Sequence, residues 1–571
     1  MKRSIHISKA DYTFFGAFVA LFVLAVWCLV ILWVHMVTPY GMNIEEIPFL
    51  GTLTVIFWVL VPLYWFRVRW GYIAGMIVIA VGFVGGGIAS ALSHVVHFSW
   101  SVYNVVVVMM YIIALTCLYL SNQCYEKLPN TPAKKVLLGV GGIVLMMVIT
   151  AAVLSFYSKT LYWDTMYNAT LETIDHNFQD MDTVDEKMQY LVDVGDVPSV
   201  VAGIVINDNL VWAKAYGNAT IDTVYLIGSV SKPFTATAVL QLYEQGLLGL
   251  DDDINMYLPF TVRHPQYPDT SITIRMLLTH QSGLNGSIPQ HEQYMDDPVL
   301  REWATSHFGL EYPAYDLSLD LFLEELLIPG GAYYSPDVWT DAGPGTYTYS
   351  NVGYDLLGYI VEQVTEKSFP EYLQRNIFDP LAMTQTGVSA CALDAPPYER
   401  VFSLLSKTNV KLPVYDRLHT GAGGIRSTVP DLAQFLIVHM NQGRALNGYQ
   451  LLNPETVQLM HEPAVSVFTN TSMAGYGLGW EHRSTEPGQY LCMHGSQGHS
   501  GGTEGYTCQM WMVETKKGSY GVIVMTNIYH YYKSDPLWMR AWNYKMQDIL
   551  LTEAAEMLAH RVLQIRGVCC L

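Results

Sequence analysis

A serine hydroxyl becomes a useful nucleophile only when a neighbouring group takes its proton. Ser229-Val230-Ser231-Lys232 offers such a pair, and it is the only Ser-x-x-Lys unit in the chain. Lys232 stands one helical turn after Ser229 on the same face, so its amine reaches the hydroxyl. A lysine desolvated inside a helix loses proton affinity and can act as the base. Ser229 would lie near the helix N-terminus, where free N–H groups and the positive dipole end favour developing negative charge. A helix cap followed by a surface lysine would give the same four letters, so partner motifs have to decide. Tyr349-Ser350-Asn351 begins 120 residues after Ser229, behind the turn Gly343-Pro344-Gly345. Its tyrosine can act as, or share in, a general base, and its asparagine amide can orient the lysine and a substrate. The alternative there is an asparagine cap beside a packed tyrosine. A second Tyr-x-Asn, Tyr216-Gly217-Asn218, precedes the serine at a strand end and reads as a turn. The third candidate is Gly498-His499-Ser500-Gly501-Gly502-Thr503. Glycines beside a strand let a substrate backbone approach closely, and the N–H of Gly502, with that of Ser229, would make an oxyanion hole. A flexible hairpin loop is the competing reading.

Periodicity predicts the elements that carry these residues. Phe234, Ala236, Ala238, Val239, Leu242 and Tyr243 recur at helical spacing up to Gly246, predicting a mostly buried helix closed by a glycine. Val184 to Val194 is amphipathic and reads as a first helix. The segment from Pro198 to Gly217 is β-rich with a turn at Asn207-Asp208-Asn209, a hairpin pattern. Residues 286–345 mix Pro, Gly and aromatics and read as an irregular insertion. Helices are expected over Tyr349 to Thr365 and after the glycine-rich loop at Gly421, up to Met440. Strands follow over Tyr506 to Val513 and Tyr520 to Thr526, then a long helix from Trp538 to about Ile565. Strands at both ends with helices between predict one antiparallel sheet, built from the two ends of the domain and flanked by helices.

Ser229-x-x-Lys232, Tyr349-x-Asn351 and His499-Ser500-Gly501, in that order, resemble the three motifs of serine β-lactamases and penicillin-binding proteins. The resemblance is nearest to the class C-like group, which includes D-aminopeptidases, D,D-carboxypeptidase relatives and esterases. It is reinforced by SVSKPFTATAVLQLYEQGLLGLDDDINMYLP, LLTHQSGL, PGTYTYSNVGYDLLGYIVEQVT and GAGGIRSTVPDLAQF, and spans about residues 180–565. It implies an α+β β-lactamase-like domain over 181–571. It implies that Ser229 is the acylated nucleophile, that Lys232 and Tyr349 exchange its proton, and that Asn351 supports both. His499, Ser500, Gly501 and Gly502 would line the substrate and the oxyanion, with no metal and no cofactor. One position departs from the pattern. His499 stands where many relatives carry the lysine of Lys-Thr-Gly. That lysine is a permanent cation beside a substrate carboxylate, whereas an imidazole, with a reference pKa of about 6.5, changes charge within the working range. Substrates that depend on a free carboxylate, such as penicillins, are expected to be poor, and uncharged esters or amides preferred.

The rest of the 571-residue chain has a different character. Five spans, about 12–36, 47–66, 71–93, 103–121 and 136–158, contain no Asp, Glu, Lys or Arg. Each reaches or approaches the roughly 20 residues that cross a bilayer, predicting an all-α transmembrane bundle over 1–158 and a linker over 159–180. Lys2, Arg3 and Lys9, then Arg67 and Arg69, then Lys127, Lys134 and Lys135 occupy alternate loops. The positive-inside rule then puts the N-terminus in the cytoplasm and everything after Ser158 outside. Residues 1–157 carry a net charge of +4 and the remainder −23, which gives no encouragement to a nucleic-acid partner. The spans hold no ionisable residue other than histidine, which disfavours transport. Cys492 and Cys508 flank a glycine-rich turn outside and are a possible pair, though spacing alone does not fix connectivity.

The expectation is a membrane-anchored, extracytoplasmic serine hydrolase. It would cleave an amide or ester bond in a small-molecule or peptide-like substrate through an acyl-enzyme on Ser229. The rival is a non-catalytic ligand-sensing receptor that keeps the fold and signals through its five helices. A pure binder has no need to keep the serine, lysine and tyrosine together, which weighs against it.

Overall fold

The computed structural model describes residues 177–286, 297–308, 317–390, 394–403, 406–417, 420–466, 473–483, 495–529 and 536–565. The five expected spans and most of the expected linker lie outside these residues, as do Cys391 and Cys492. Among the described residues no helix is long and apolar enough to cross a membrane. The chain divides into two units, Met1–Asn168 with Phe402–Ser406, and Ala169–Val401 with Lys407–Leu571.

Helix α1 (Val184–Gly195) opens the second unit with a capping box: Thr183 accepts the Glu186 N–H and Glu186 accepts the Thr183 N–H. Strands β1 (Ser199–Ile206) and β2 (Asn209–Gly217) form the expected hairpin. Asn207 takes the left-handed backbone of its turn, a conformation asparagine tolerates. Then come the central helix α2 (Ser231–Glu244), α3 (Asn351–Thr365) and α4 (Val429–Met440). Three short strands, β3 (Val465–Ser466), β4 (Met473–Tyr476) and β5 (Glu481–Arg483), lead to β6 (Gln497–Thr503), β7 (Tyr506–Thr515), β8 (Gly518–Thr526) and the long α5 (Pro536–Ile565).

The eight strands make one antiparallel sheet in the order β2-β1-β8-β7-β6-β5-β4-β3. The N-terminal hairpin joins the C-terminal strands through β1 and β8, with Ala202 opposite Val524. Both ends of the domain therefore build the sheet, as the sequence predicts. Side chains alternate between two cores along each strand. Val200, Ala202 and Ile204 pack with α1 and α5, while Val201, Val205, Met510 and Ile523 pack with the helices of the other face.

One expectation needs amending. The insertion over 286–345 is not irregular throughout: it carries helices Pro298–Phe308 and Leu319–Leu327, and the second buries Phe322, Leu323, Leu326 and Leu327. Cys508 is a buried, free thiol on β7.

Candidate active site

Helix α2 is buried on nearly every side, with each residue from Ser231 to Leu242 buried. That is why its sequence shows small and apolar residues all round rather than one stripe. Phe234 stacks on Phe435 of α4 with ring centroids 3.7 Å apart. The helix ends in a Schellman-type turn, in which Gly246 adopts φ +67° and the Leu247 N–H reaches the Leu242 carbonyl. Ser229 is not in the α-helix itself. It lies in a single 3-10 turn, Gly228–Val230, that leads directly into α2.

This turn is pinned on both sides. The ladder of Tyr225–Leu226 with Arg426–Ser427 continues as an Ile227 N–H to Ile425 carbonyl bond. The Ile425 N–H donates to Ser231 Oγ, and Thr235 Oγ1 donates to the Gly421 carbonyl at 2.7 Å. The glycine-rich turn Thr420–Gly423 is thus fastened along α2 and presents the Ala422 carbonyl to Lys232.

Lys232 is fully buried. Its Nζ lies 2.7 Å from Asn351 Oδ1, 2.8 Å from the Ala422 carbonyl oxygen and 3.0 Å from Ser229 Oγ. Burial pulls its pKa down to about 7, with Asp355 opposing that shift. A neutral amine has two N–H groups and one lone pair. Asn351 Oδ1 and the Ala422 carbonyl accept the two N–H bonds, so the lone pair is left facing the Ser229 hydroxyl. Tyr349 O–H reaches Ser229 Oγ at 2.9 Å from the other side. Burial holds its pKa well above the usual phenol value, so it stays protonated and donates. Ser229 therefore meets a proton acceptor and a proton donor that differ by environment rather than by position alone.

Tyr349 and Ser350 precede α3, and Ser350, not Asn351, is its N-cap, accepting the Gly353 N–H. His280 orders this entry. Its Nδ1 accepts the Ser350 N–H at 3.0 Å, and its ring lies 4.3 Å from that of Tyr349. His280, Ala422 and Asp355 were not singled out in the sequence. His280 sits inside the LLTHQSGL segment, Asp355 inside PGTYTYSNVGYDLLGYIVEQVT and Ala422 inside GAGGIRSTVPDLAQF, so the signal for each was a segment rather than a residue.

His499 is buried beneath the site on β6. Its Nδ1 lies 2.7 Å from the Ser500 carbonyl, which can only accept, so Nδ1 carries the proton. Nε2 then accepts Tyr476 O–H at 3.0 Å. Burial lowers its pKa to about 4, so the change of charge expected near 6.5 moves far into acid. Its ring is 6.3 Å from that of Tyr349, so it lines the site one layer behind the serine. Ser500 Oγ donates to Gln509 Oε1 at 2.9 Å.

Gly501 and Gly502 bring β6 against the serine turn. A methyl built on Gly501 would sit 2.0 Å from the Ile227 carbonyl oxygen and 3.1 Å from Ser229 N. One built on Gly228 would sit 2.9 Å from Gly502 N. The amides of Ser229 and Gly502 thus line the same narrow gap. β5 pairs with β6 only at Gln497 and Gly498, so the edge from His499 to Thr503 is left beside the serine turn. Tyr216 takes no part: it ends β2 and its hydroxyl donates to Asp185 at 2.8 Å.

A family model described as Beta-lactamase matches residues 184–542. The chain is 27% identical over 314 residues to penicillin-binding protein 4* of Bacillus subtilis (strain 168), covering 51% of this chain and 58% of that protein. It is 24% identical over 354 residues to protein flp of Staphylococcus aureus (strain N315), covering 60% and 62%. The match therefore spans less than two thirds of either relative's own length. Among solved structures, a D-stereospecific amidohydrolase from Streptomyces sp. is similar with a TM-score of 0.48 and 23% identity, covering 62% of this chain and 96% of that one. The family model takes in more than half of the chain, over the very segment that folds around Ser229, and the chain belongs to the family of serine β-lactamases and penicillin-binding proteins.

Proposed function

We propose that this protein is a serine hydrolase that cleaves an amide or ester through an acyl-enzyme on Ser229. The observation that carries the reading is the Lys232 amine, buried and held by two acceptors with its remaining valence toward Ser229 Oγ. In the first step the Ser229 Oγ–H bond breaks as Lys232 takes the proton and Oγ bonds to the substrate carbonyl carbon. The amides of Ser229 and Gly502 hold the resulting oxyanion. The leaving amine or alcohol departs with a proton delivered through Tyr349. Water then repeats the sequence on the acyl-enzyme and returns Ser229.

Membrane anchoring with the site outside the cell is part of the same proposal, supported by the five charge-free spans and their alternating basic loops. One experiment addresses both halves. A membrane-impermeant fluorophosphonate, applied to intact cells expressing the full-length chain, is expected to form an adduct that peptide mass spectrometry maps to Ser229. Labelling only after lysis would invert the orientation. No labelling of Ser229 in either preparation would remove the hydrolase reading.

The neutral His499 supports a preference for substrates without a free carboxylate. His499→Lys is expected to raise kcat/KM for a chromogenic cephalosporin relative to a neutral ester by about fivefold, the effect of about 1 kcal/mol from a partly screened charge. An unchanged ratio, or fast cephalosporin hydrolysis by the unmodified chain, would mean that the carboxylate is held elsewhere.

A further inference from the structure

We propose that Asp355 is a positioning residue that sets the working charge of Lys232 from inside the protein. This rests on the reading of Lys232 as the base. Asp355 follows Asn351 by four residues on α3, so both side chains leave the same face of that helix. Asn351 Oδ1 accepts from Lys232 directly at 2.7 Å. Asp355 acts through the backbone: its Oδ1 accepts the Ala422 N–H at 3.1 Å, and the Ala422 carbonyl accepts from Lys232 at 2.8 Å. Both anchors of the amine therefore lead to one turn of α3.

Asp355 is completely buried. Its carboxyl and the Lys232 amine bind the two ends of one residue, Ala422, so its charge acts on the amine at short range through the protein interior. The nearby amine that can take a charge is Lys232. The other groups facing that amine do not substitute for Asp355. The rings of Tyr349 and Tyr354 lie 4.8 and 5.5 Å from Nζ. His280 and His499 are kept neutral by burial. Arg417 and Glu481 act on Lys232 in opposite senses. Burial alone would strip the amine of its proton affinity. Asp355 opposes that effect, leaving a base matched to neutral solution rather than one too weak to take the serine proton.

The test is the pH dependence of Ser229 labelling by a fluorophosphonate, from pH 5 to 9, in the full-length chain. Lys232 must be neutral to act, so the wild-type rate should rise with pH and level off above about 7. Asp355→Asn keeps the shape and an acceptor for Ala422 but removes the charge. Its acid limb should move to lower pH, and a shift of about one pH unit raises the rate at pH 5.5, relative to its own plateau, about eightfold. Asp355→Glu should return the limb toward its original place. Asp355→Ser, small and uncharged, gives the same reading should the asparagine variant fail to fold. A lowered plateau with an unmoved limb would make Asp355 merely structural and overturn the proposal. A wild-type profile flat from pH 5 to 9 would instead remove Lys232 as the base, and the role of Asp355 with it.

Discussion

Lys232→Met is expected to slow acylation of Ser229 by about 10³-fold at pH 8 without unfolding the protein, within the range for a lost proton-transfer partner. The expectation follows from the division of labour around the hydroxyl. Tyr349 is protonated and donating, so it cannot replace the amine as acceptor. Methionine fills nearly the same volume, so the loss is chemical rather than steric. Stability tells the two apart. The folded pKa of Lys232, about 7, lies below the free value of 10.5, so the unfolded state binds more protons between these limits. Stability from this group is therefore greatest above 10.5 and falls as pH drops toward 7, a cost on the order of 4 kcal/mol at neutrality that methionine removes. Against this, Asn351 Oδ1 and the Ala422 carbonyl lose their donor, at about 1–3 kcal/mol each. The terms offset, and the variant should melt within a few degrees of wild type. Turnover within tenfold of wild type for a folded Lys232→Met chain would show that another group takes the proton. Tyr349→Phe should cost about 10²-fold, falling more heavily on amides than on activated esters, whose leaving groups need no proton.

The parts of this site that were legible in the sequence are those fixed by local geometry. Ser229 and Lys232 stand three residues apart, one on the 3-10 turn and the other on the first turn of α2 that continues it. The β1–β2 hairpin announces itself through its Asn207-Asp208 turn, and both ends of the domain carry β-rich apolar runs, as a sheet covered on both faces requires. What was not legible depends on closure across the chain. The Ala422 carbonyl is a backbone group, with no residue type to mark it, and it reaches Lys232 across 190 residues. Asp355 reads as a polar position within a helical pattern until the fold buries it. His499 shows the same limit in its charge: residue type supplies the reference pKa, but desolvation decides the working value, and desolvation is tertiary. The helix Leu319–Leu327 was hidden for another reason. Its period is clear in Phe322, Leu323 and Leu326, but the surrounding prolines, glycines and aromatics dominated a reading by composition.

Gly501→Ala is expected to lower kcat by about 10²-fold or more, the size of losing one oxyanion donor, although the substitution adds only a methyl. The methyl would lie 2.0 Å from the Ile227 carbonyl oxygen, a backbone atom that cannot rotate away. Ile227 is itself held by its N–H bond to Ile425, and the adjoining turn leads into the buried α2. Relief must come from β6 moving off the serine turn. That movement widens the gap between the amides of Ser229 and Gly502, so the site loses the geometry that stabilises the oxyanion while keeping Ser229, Lys232 and Tyr349 in place. The loss should therefore fall on kcat for ester hydrolysis more than on KM, because a ground-state carbonyl leans on these donors less than an oxyanion does. Gly387→Ala is the matched control, since a methyl there meets nothing within 4 Å, and its kcat should stay within about twofold of wild type. Overpacking at Gly501 should also cost about 1–3 kcal/mol of stability, so the comparison belongs at a temperature where both variants are fully folded. A folded Gly501→Ala chain with wild-type kcat would mean that the oxyanion is stabilised elsewhere than between β6 and the serine turn.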